Sequence, residues 1–484
     1  MRDAIEVVNT SEYPKFLSAF LPAFGAVLDA VPAQTEDNVE HKTRKTVLEM
    51  LNKLPHNEHL RPHDKTVLAM ATEALRAENE ENALVCLRVI FDLHRNFRPS
   101  LEFEVEPFLE FVRGVYENVE ETVKQTFGEP AATREKEETT REKKGEEKDA
   151  EAPALVRPFA TLGARSFKVQ TECPLIVMLL FQLYTRLIPT NVTALLPLMV
   201  KMIGLKGPEP KDVPARLRGA YGDFKGAQVK TVSFVTYLLR GYAESVQPHR
   251  DAVSVAIVEL LRTVPDNVST RKELLVATRH VLSAPDFRRG FYAHLDALLD
   301  EQTLVGDGSA CRDALRPLAY SFLAELVHHM RLELSMAQIR RAVYLFSRNV
   351  RDATLPLSIQ MTCVRLMHHL VESIFRRRNY PAQAADARAN LVRILDATVA
   401  KFGSVKPQVK TLLENGKKAE AAELEAAKKS EASRDAAFGV APVPTRLAAS
   451  DAKEPEAKEA KEATGAKDAE EDASSKALVG SAAS

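Results

Sequence analysis

Apolar residues recur along this chain at the spacing of an α-helix. Between Arg312 and Met330 they lie at i, i+3, i+4 and i+7, which predicts a helix with one buried face. They are Leu315, Leu318, Ala319, Phe322, Leu323, Leu326, Val327 and Met330. The stretches that begin at Thr270 and Leu357 repeat the pattern. Successive helices of this kind, without an obvious catalytic group, indicate a protein that binds rather than an enzyme.

The same periodicity predicts helices through two long blocks. In residues 1–128 they are Tyr13–Asp29, Val39–Leu54, Pro62–Arg76, Glu80–Asn96 and Pro107–Phe127. In the second block they are Pro174–Leu187, Thr193–Ile203, Gly226–Ser245, Arg250–Thr263, Thr270–Ser283, Arg288–Asp300, Arg312–Arg331, Met336–Arg351, Leu357–Phe375 and Arg388–Phe402. Strand signals are nearly absent. Helix pairs of about forty residues without a strict repeat predict an all-α fold, an α-solenoid of degenerate HEAT-type helix pairs.

Two segments interrupt the helical pattern. Glu129–Pro153 has almost no apolar residue larger than alanine, so burial cannot offset its ordering entropy, and a flexible charged loop is expected. A single solvated helix is the alternative, because Glu and Lys alternate there. From about residue 406 Ala, Lys and Glu dominate; Lys406–Lys429 could extend a helix, and the rest of the tail is expected to be disordered. The predicted division is therefore 1–128 helical, 129–157 linker, 158–405 helical and 406–484 tail.

Charge does not point to a polyanionic partner. The chain has 66 basic and 67 acidic residues, a net charge of -1. Arg134–Glu151 holds 6 basic and 8 acidic residues, and Lys417–Ser484 holds 11 and 14, so the remainder is near +4. We therefore expect no direct nucleic-acid binding and no membrane association. Pro174–Ile188 is apolar but shorter than the roughly twenty residues that span a bilayer.

The N-terminus and the cysteines both suggest a soluble intracellular protein. The apolar run Phe16–Val31 could imitate a signal peptide, but acidic residues precede it where a basic region is required. A first solenoid helix is the better interpretation. The four cysteines are too far apart for a CxxC pair and lie in or beside helical patterns, at positions Cys86, Cys173, Cys311 and Cys363. Free buried thiols in a reducing compartment are expected.

Two histidine pairs are the best candidates for a metal site. They are His328-His329 and His368-His369. Adjacent side chains on a helix point about 100° apart, so one pair cannot chelate from one face, and Cys363 is not four residues from His368. Histidines at the edge of the core are the expected interpretation.

Three other motifs are weak. Gly306–Gly308 lacks the remainder of a phosphate-loop pattern, and a turn before a helix, capped by Asp307 or Ser309, is expected. Asp286–Arg288 begins like a kinase DFG motif but has no glycine. Arg376–Arg378 could be part of an import signal or a phosphate contact, but a solvated helix end is favoured because cations stabilise a helix C-terminus. The sequence therefore marks no catalytic, cofactor-binding or metal-binding residue.

Several long stretches carry a family resemblance. NEHLR (57–61), ENEENALVCLRVIFDLHRNFRP (78–99), LIVMLLFQLY (175–184), QVKTVSFVTYLLRGY (228–242), TRKELLVATRHVL (270–282) and residues 312–331 occur in the family's order. Together they resemble the N-terminal HEAT region of the transformation/transcription domain-associated protein (TRRAP) family.

The resemblance implies a non-catalytic function. The family is similar to phosphatidylinositol-3-kinase-related kinases but ends in a pseudokinase, and its members are scaffold subunits of SAGA-type histone acetyltransferase complexes. It implies a nuclear protein that regulates transcription and binds transcriptional activators and complex subunits, without a cofactor or small-molecule substrate. Two alternatives remain: another HEAT scaffold, such as a nuclear transport receptor or phosphatase scaffold, or the regulatory N-terminal part of a related active kinase.

Overall fold

The fold consists of α-helices joined by short turns. The structure, a computed structural model, describes residues 11–34, 38–98, 100–128 and 163–438, with side chains as far as residue 429. No strand occurs within these ranges. The helices are α1 (Tyr13–Ala30), α2 (Val39–Asn52), α3 (Asp64–Ala77), α4 (Glu80–Asn96), α5 (Glu106–Glu117), α6 (Val119–Phe127), α7 (Phe167–Leu183), α8 (Ile188–Gly204), α9 (Arg218–Gly241), α10 (Ala243–Val246), α11 (Arg250–Thr263), α12 (Val268–Ser283), α13 (Pro285–Tyr292), α14 (Leu295–Leu298), α15 (Glu301–Val305), α16 (Ser309–Met330), α17 (Met336–Arg351), α18 (Leu357–Arg377) and α19 (Pro381–Phe438).

The helices up to α18 stack in two layers. In the first layer α2, α4, α7, α9, α12, α16 and α18 each pack on the next. In the second layer α1, α3, α5, α8 and α11 do the same, and α15 and α17 pack on first-layer helices. Each helix contacts its neighbours in the stack, as in repeat proteins that bury one face of each repeat against the next. The predicted all-α solenoid is confirmed.

The predicted apolar stripes form the core between the layers. On α16, Leu315, Phe322, Leu323 and Leu326 are at most 1% exposed, whereas Leu318 is only partly buried. Burying one such side chain contributes about 1.5–3 kcal/mol relative to leaving it in water. The core is therefore continuous along the stack and uses branched aliphatic and phenylalanine side chains.

Side-chain caps explain where several helices begin. Asn38, Asn79 and Asn267 each accept a hydrogen bond from the backbone N–H three residues later, at 2.8, 3.0 and 3.0 Å. Ser335 and Gln338 form a reciprocal capping box at the start of α17. Such caps satisfy N–H groups that have no partner inside the helix.

Helix boundaries differ from the prediction where proline or asparagine governs the backbone. Pro174 lies inside α7, which begins seven residues earlier at Phe167 because the preceding turns carry buried side chains. The helix predicted over Pro107–Phe127 divides at Asn118, whose side-chain amide donates to the Gly114 carbonyl at 2.7 Å and so competes with the helical bond. The stretch 288–300 likewise divides between α13 and α14.

One apolar stretch passes a length and composition test for a membrane span. Residues Thr185–Gly204 have a mean hydropathy of 1.4. This stretch contains α8, which packs on α5, α9 and α11 and buries Leu195, Leu196 and Met199 among them. A helix surrounded by other helices in a solenoid core is as apolar as a membrane-spanning helix, so it passes the same test.

The last helix extends further than the sequence indicated. Within α19, the residues up to Lys406 belong to one compact unit and those from Pro407 to a second. Residues 407–438 are helical, in agreement with the possible helix over Lys406–Lys429 and nine residues beyond it, and every side chain described from 407 to 429 is exposed. Ala, Lys and Glu favour helix without any packing, which accounts for the continuation of the helix beyond Lys429. The predicted linker at 129–157 and the tail beyond 438 lie outside the described residues.

Candidate protein-interaction surface

The two histidine pairs lie next to each other on neighbouring first-layer helices. His328 and His329 are near the end of α16, and His368 and His369 are on α18. The ring centroid of His328 is 5.3 Å from that of His329 and 5.2 Å from that of His369. No local pattern predicts this contact between helices, because it depends on how α16 and α18 stack. We call these four residues the histidine cluster.

The recorded contacts of the histidine cluster are between imidazole rings. Within the described ranges no group of three or more His, Cys, Asp or Glu side chains is placed to hold a metal ion. Burial, and next the charge of Arg288, lowers the pKa of His329. Burial, and next His328, lowers the pKa of His369. Both shifts favour neutral rings at neutral pH. Cys363 is buried away in the core.

A cleft of about 420 Å³ opens beside the histidine cluster. Besides His328, His368 and His369, its lining includes Arg331, Glu372 and Phe375. Arg331 donates to the His328 carbonyl, and Glu372 is paired with Arg376. The cleft therefore combines imidazole rings, one guanidinium, one carboxylate and an aromatic side chain. This mixture of polar, charged and aromatic side chains is similar to that of protein–protein contact surfaces.

The arginine cluster at the end of α18 is engaged in local contacts. Arg377 donates to the Leu332 carbonyl at 3.3 Å, and the Arg378 guanidinium lies 3.4 Å from the centre of the Phe375 ring. Arg376 pairs with Glu372. The structure therefore supports the interpretation of Arg376–Arg378 as a helix end, where carbonyls without helical partners attract cations.

The glycine motif at 306–308 is a turn held by an acidic side chain. The Asp266 carboxylate accepts hydrogen bonds from the backbone N–H of Asp307 at 3.1 Å and of Gly308 at 2.7 Å. The amides that a phosphate would need therefore already have a partner. Gly306 has a φ of 82°, in the left-handed region that favours glycine. The N-cap of α16 is Gly308, without a side-chain cap, so the predicted caps at Asp307 and Ser309 are wrong.

The DFG-like motif is also structural. Phe287 is 2% exposed and belongs to the core. Arg288 donates to the carbonyls of Leu282 and Ser283 at 2.8 and 2.9 Å, and so satisfies the end of α12. Asp286 accepts from Gln247 at 3.3 Å. These residues join consecutive helices, as a turn between repeats requires.

Charged pairs connect neighbouring helices along the surface of the first layer. They join α2 to α4, α4 to α7, α9 to α12 and α12 to α16. The pairs are Lys45–Glu81, Lys168–Glu80 at 2.8 Å, Lys230–Glu273 at 2.8 Å and Arg279–Glu325 at 2.7 Å. Exposed pairs of this kind contribute at most about 1 kcal/mol each. At the next junction, between α16 and α18, the histidine cluster lies on this surface.

Comparison with known proteins gives the family. The family model described as the Tra1 HEAT repeat central region matches residues 220–481, which is more than half of the chain. The human transformation/transcription domain-associated protein is 35% identical over 413 residues, covering 82% of this chain. The chain belongs to the Tra1/TRRAP family. The predicted family is thereby confirmed, although the matching model describes a central HEAT region and the resemblance pointed to an N-terminal one.

Other members of the Tra1/TRRAP family are similarly related. The probable transcription-associated protein 1 of Dictyostelium discoideum is 33% identical over 88% of this chain. The SAGA complex/NuA4 acetyltransferase complex subunit TRA1 of Saccharomyces cerevisiae is 30% identical over 85% of it. The chain spans only 10% to 12% of the length of these relatives and of the human protein. What it shares with them is a segment of the family's HEAT repeats.

Proposed function

We propose that this chain is a non-catalytic scaffold in transcription regulation, part of a co-activator complex of the SAGA or NuA4 type. The observation that carries the proposal is family membership: the yeast relative is named as a subunit of both acetyltransferase complexes. The two-layer helical stack supports it, because a solenoid offers a long surface to other proteins. Such a subunit acts in the nucleus.

The proposed partners are proteins: transcriptional activators and other acetyltransferase-complex subunits. The described surface offers helix edges, exposed ion pairs and the cleft beside the histidine cluster. An amphipathic activator helix could lie in a groove between repeats, with its apolar face inward. Near-neutral net charge gives no reason to expect direct nucleic-acid binding. An enzymatic function has no support from the described clefts, which lack a nucleophile paired with a base.

Affinity purification tests the proposal. The chain would be tagged at its chromosomal locus and purified from nuclear extract, and co-purifying proteins would be identified by mass spectrometry. We expect acetyltransferase-complex subunits at constant ratios to the bait. A tagged, unrelated helical-repeat protein is the control for adhesion to solenoid surfaces.

Each alternative class predicts a different set of proteins. A nucleotide-loaded small GTPase would indicate a transport receptor, and a phosphatase catalytic subunit would indicate a phosphatase scaffold. Intact bait without any acetyltransferase-complex subunit would contradict the proposal. A second bait with Arg331→Glu and His369→Glu tests the cleft: loss of only some partners would assign them to this surface.

A further inference from the structure

Cationic side chains from three helices converge on the cleft beside the histidine cluster. Arg331 directly follows α16 and lines the cleft, and Arg376–Arg378 end α18, which supplies most of the remaining lining. Arg288 comes from α13. After burial, the positive charges of Arg288 and Arg331 are among the causes that lower the pKa of His329. Guanidinium groups stay charged at neutral pH, so this surface is cationic even while the histidine rings are neutral.

The carboxylates of this surface already have cationic partners. Glu372, which lines the cleft, is paired with Arg376 on the same helix. Glu325, one turn before the histidines of α16, is paired with Arg279 of α12 at 2.7 Å. Neither carboxylate is therefore available to neutralise the remaining arginines.

The remaining guanidinium groups have contacts that leave their charge uncompensated. Arg331 and Arg377 each donate a recorded hydrogen bond to a backbone carbonyl, and Arg378 lies against the Phe375 ring. No carboxylate among the described side chains is within ion-pair distance of these three arginines. A guanidinium group has five N–H donors, so each of them retains donors for an anionic ligand.

A phosphoryl group fits this arrangement better than a carboxylate does. A carboxylate has two oxygens, and one guanidinium group can satisfy both. A phosphorylated side chain carries nearly two negative charges and three acceptor oxygens, so it needs several donors that converge from different directions. The cleft provides them from two helices: the Arg331 guanidinium and the ring N–H groups of His328, His368 and His369.

We propose that the cleft beside the histidine cluster binds a phosphoserine or phosphothreonine in a segment of a partner protein. The phosphoryl oxygens accept hydrogen bonds from Arg331 and from the imidazole rings, and the arginines at the end of α18 add to the attraction. The inference names a class of partner for a surface already assigned to protein contact, so it rests on the proposed function.

Exposed apolar side chains near the cleft favour a peptide as the carrier of the phosphoryl group. Leu332, Phe375 and Tyr380 are 64%, 46% and 62% exposed. Leu332 directly follows Arg331, Phe375 lines the cleft, and Tyr380 follows the arginines that end α18. They provide contacts for apolar residues on either side of the phosphorylated one. A nucleic acid instead requires a longer basic track, whereas the preceding repeats carry the ion pairs described above.

Titration of the full chain with phosphate ligands tests this. NMR of the chain with ¹³C-labelled histidine rings would report binding at the cleft. Inorganic phosphate is the first probe, because it requires no choice of peptide sequence. The second is a short peptide with phosphoserine between two phenylalanines. We expect both to shift the His328 and His369 signals, with the peptide binding more tightly. Its serine and glutamate forms should bind at least about tenfold more weakly, because they lose charge-assisted hydrogen bonds.

Substitutions separate the cleft from general charge attraction. Arg331→Gln should weaken phosphopeptide binding at least about tenfold and leave the melting temperature unchanged. Arg262→Gln is the matched control: it removes the same charge from α11, where the Arg262 side chain is 51% exposed, and should leave binding unchanged. His369→Gln should also weaken binding, and it tests the cleft independently if Arg331→Gln does not fold.

Four results would overturn the proposal. The first is the absence of any shift of the His328 and His369 signals with both probes. The second is equal affinity for the phosphoserine and glutamate peptides, which indicates a general acidic ligand. The third is equal weakening by Arg331→Gln and Arg262→Gln. The fourth is tighter binding of a single-stranded oligonucleotide at the same signals, which makes nucleic acid the occupant. These measurements use the isolated chain, so they stand or fall separately from the purification of a complex.

Discussion

Removing the buried carboxylate of Glu78 should be the most damaging single change at the beginning of the solenoid. Arg44 on α2 is 4% exposed, and Glu78, just before α4, is 1% exposed. The Arg44 Nε is 2.5 Å from a Glu78 carboxylate oxygen, and the other oxygen accepts from the Asn82 amide at 2.9 Å. Glu78→Ala would leave the Arg44 cation buried without its counter-charge and the Asn82 amide without this acceptor.

The magnitude follows from these contacts. Breaking a buried ion pair by removing one partner costs about 3–5 kcal/mol, because the remaining charge is uncompensated. Arg44 also donates to the carbonyls of Leu28 and Val31, which end α1. It therefore cannot leave the site without giving up those bonds. Glu78→Gln, which keeps an acceptor but loses the charge, should cost less than Glu78→Ala.

The assay must be local, because repeat arrays need not unfold in one step. Native-state hydrogen exchange of the α2 and α4 amides measures the opening free energy of this part directly. We expect Glu78→Ala to lower it by about 3–5 kcal/mol. Glu81→Ala is the matched control on the same two helices: Glu81 is 59% exposed and pairs with Lys45, so its loss should cost at most about 1 kcal/mol. Equal effects of the two substitutions would refute the reasoning.

Three further predictions concern single sites. Gly306→Ala should destabilise the chain by about 1–3 kcal/mol. Gly306 has a φ of 82°, and a Cβ added there would lie 1.9 Å from an Asp266 oxygen. Thermal denaturation measures the effect, and a wild-type melting temperature would contradict the prediction. Burial lowers the pKa of Lys225 to about 8 from 10.5, so the unfolded chain binds more protons between these values and stability should rise with pH there. Lys225→Met should remove this increase of stability with pH and should raise stability at pH 7. Urea titrations at pH 7 and 9.5 measure both effects. If the variant is still more stable at pH 9.5 by the same amount, Lys225 is not the group responsible. Burial lowers the pKa of His94 to about 4 from 6.5, so stability should fall as pH falls through this range. In His94→Gln, the unfolding free energy from urea titrations should depend less on pH over this range. An unchanged pH dependence would contradict the prediction.

Local sequence signals located helices more reliably than their junctions. The helices Glu80–Asn96 and Met336–Arg351 have the predicted bounds, because an asparagine cap begins one and a capping box begins the other. Pro174 misled the prediction because proline is also tolerated where neighbouring turns pack well. The break at Asn118 depends on a side-chain hydrogen bond that periodicity does not reveal.

The surface features could not be predicted, because they join residues from different repeats. His328 meets His369 only through the stacking register of α16 and α18. Asp266 accepts a hydrogen bond from the backbone N–H of Gly308, 42 residues away, and this contact also depends on how successive repeats stack. Neither contact has a local pattern. For the glycine, DFG-like and arginine motifs, the sequence did favour a turn or a helix end, because turns and helix ends use the same residue types.

The sequence separation of the contacts has a consequence for synthesis on the ribosome. Hydrogen bonds between successive repeats join residues about one repeat apart: 40 for Ser233 and Glu273, and 42 for Ser373 and Arg331. Each repeat can therefore dock as soon as the next has emerged. The contacts between helices before residue 129 and helices after residue 162 are different, because Lys168 and Glu80 are 88 residues apart and Tyr116 and Thr231 are 115 apart. The nascent chain must close these larger loops before the two groups of helices can dock, so folding should pause at this point of synthesis.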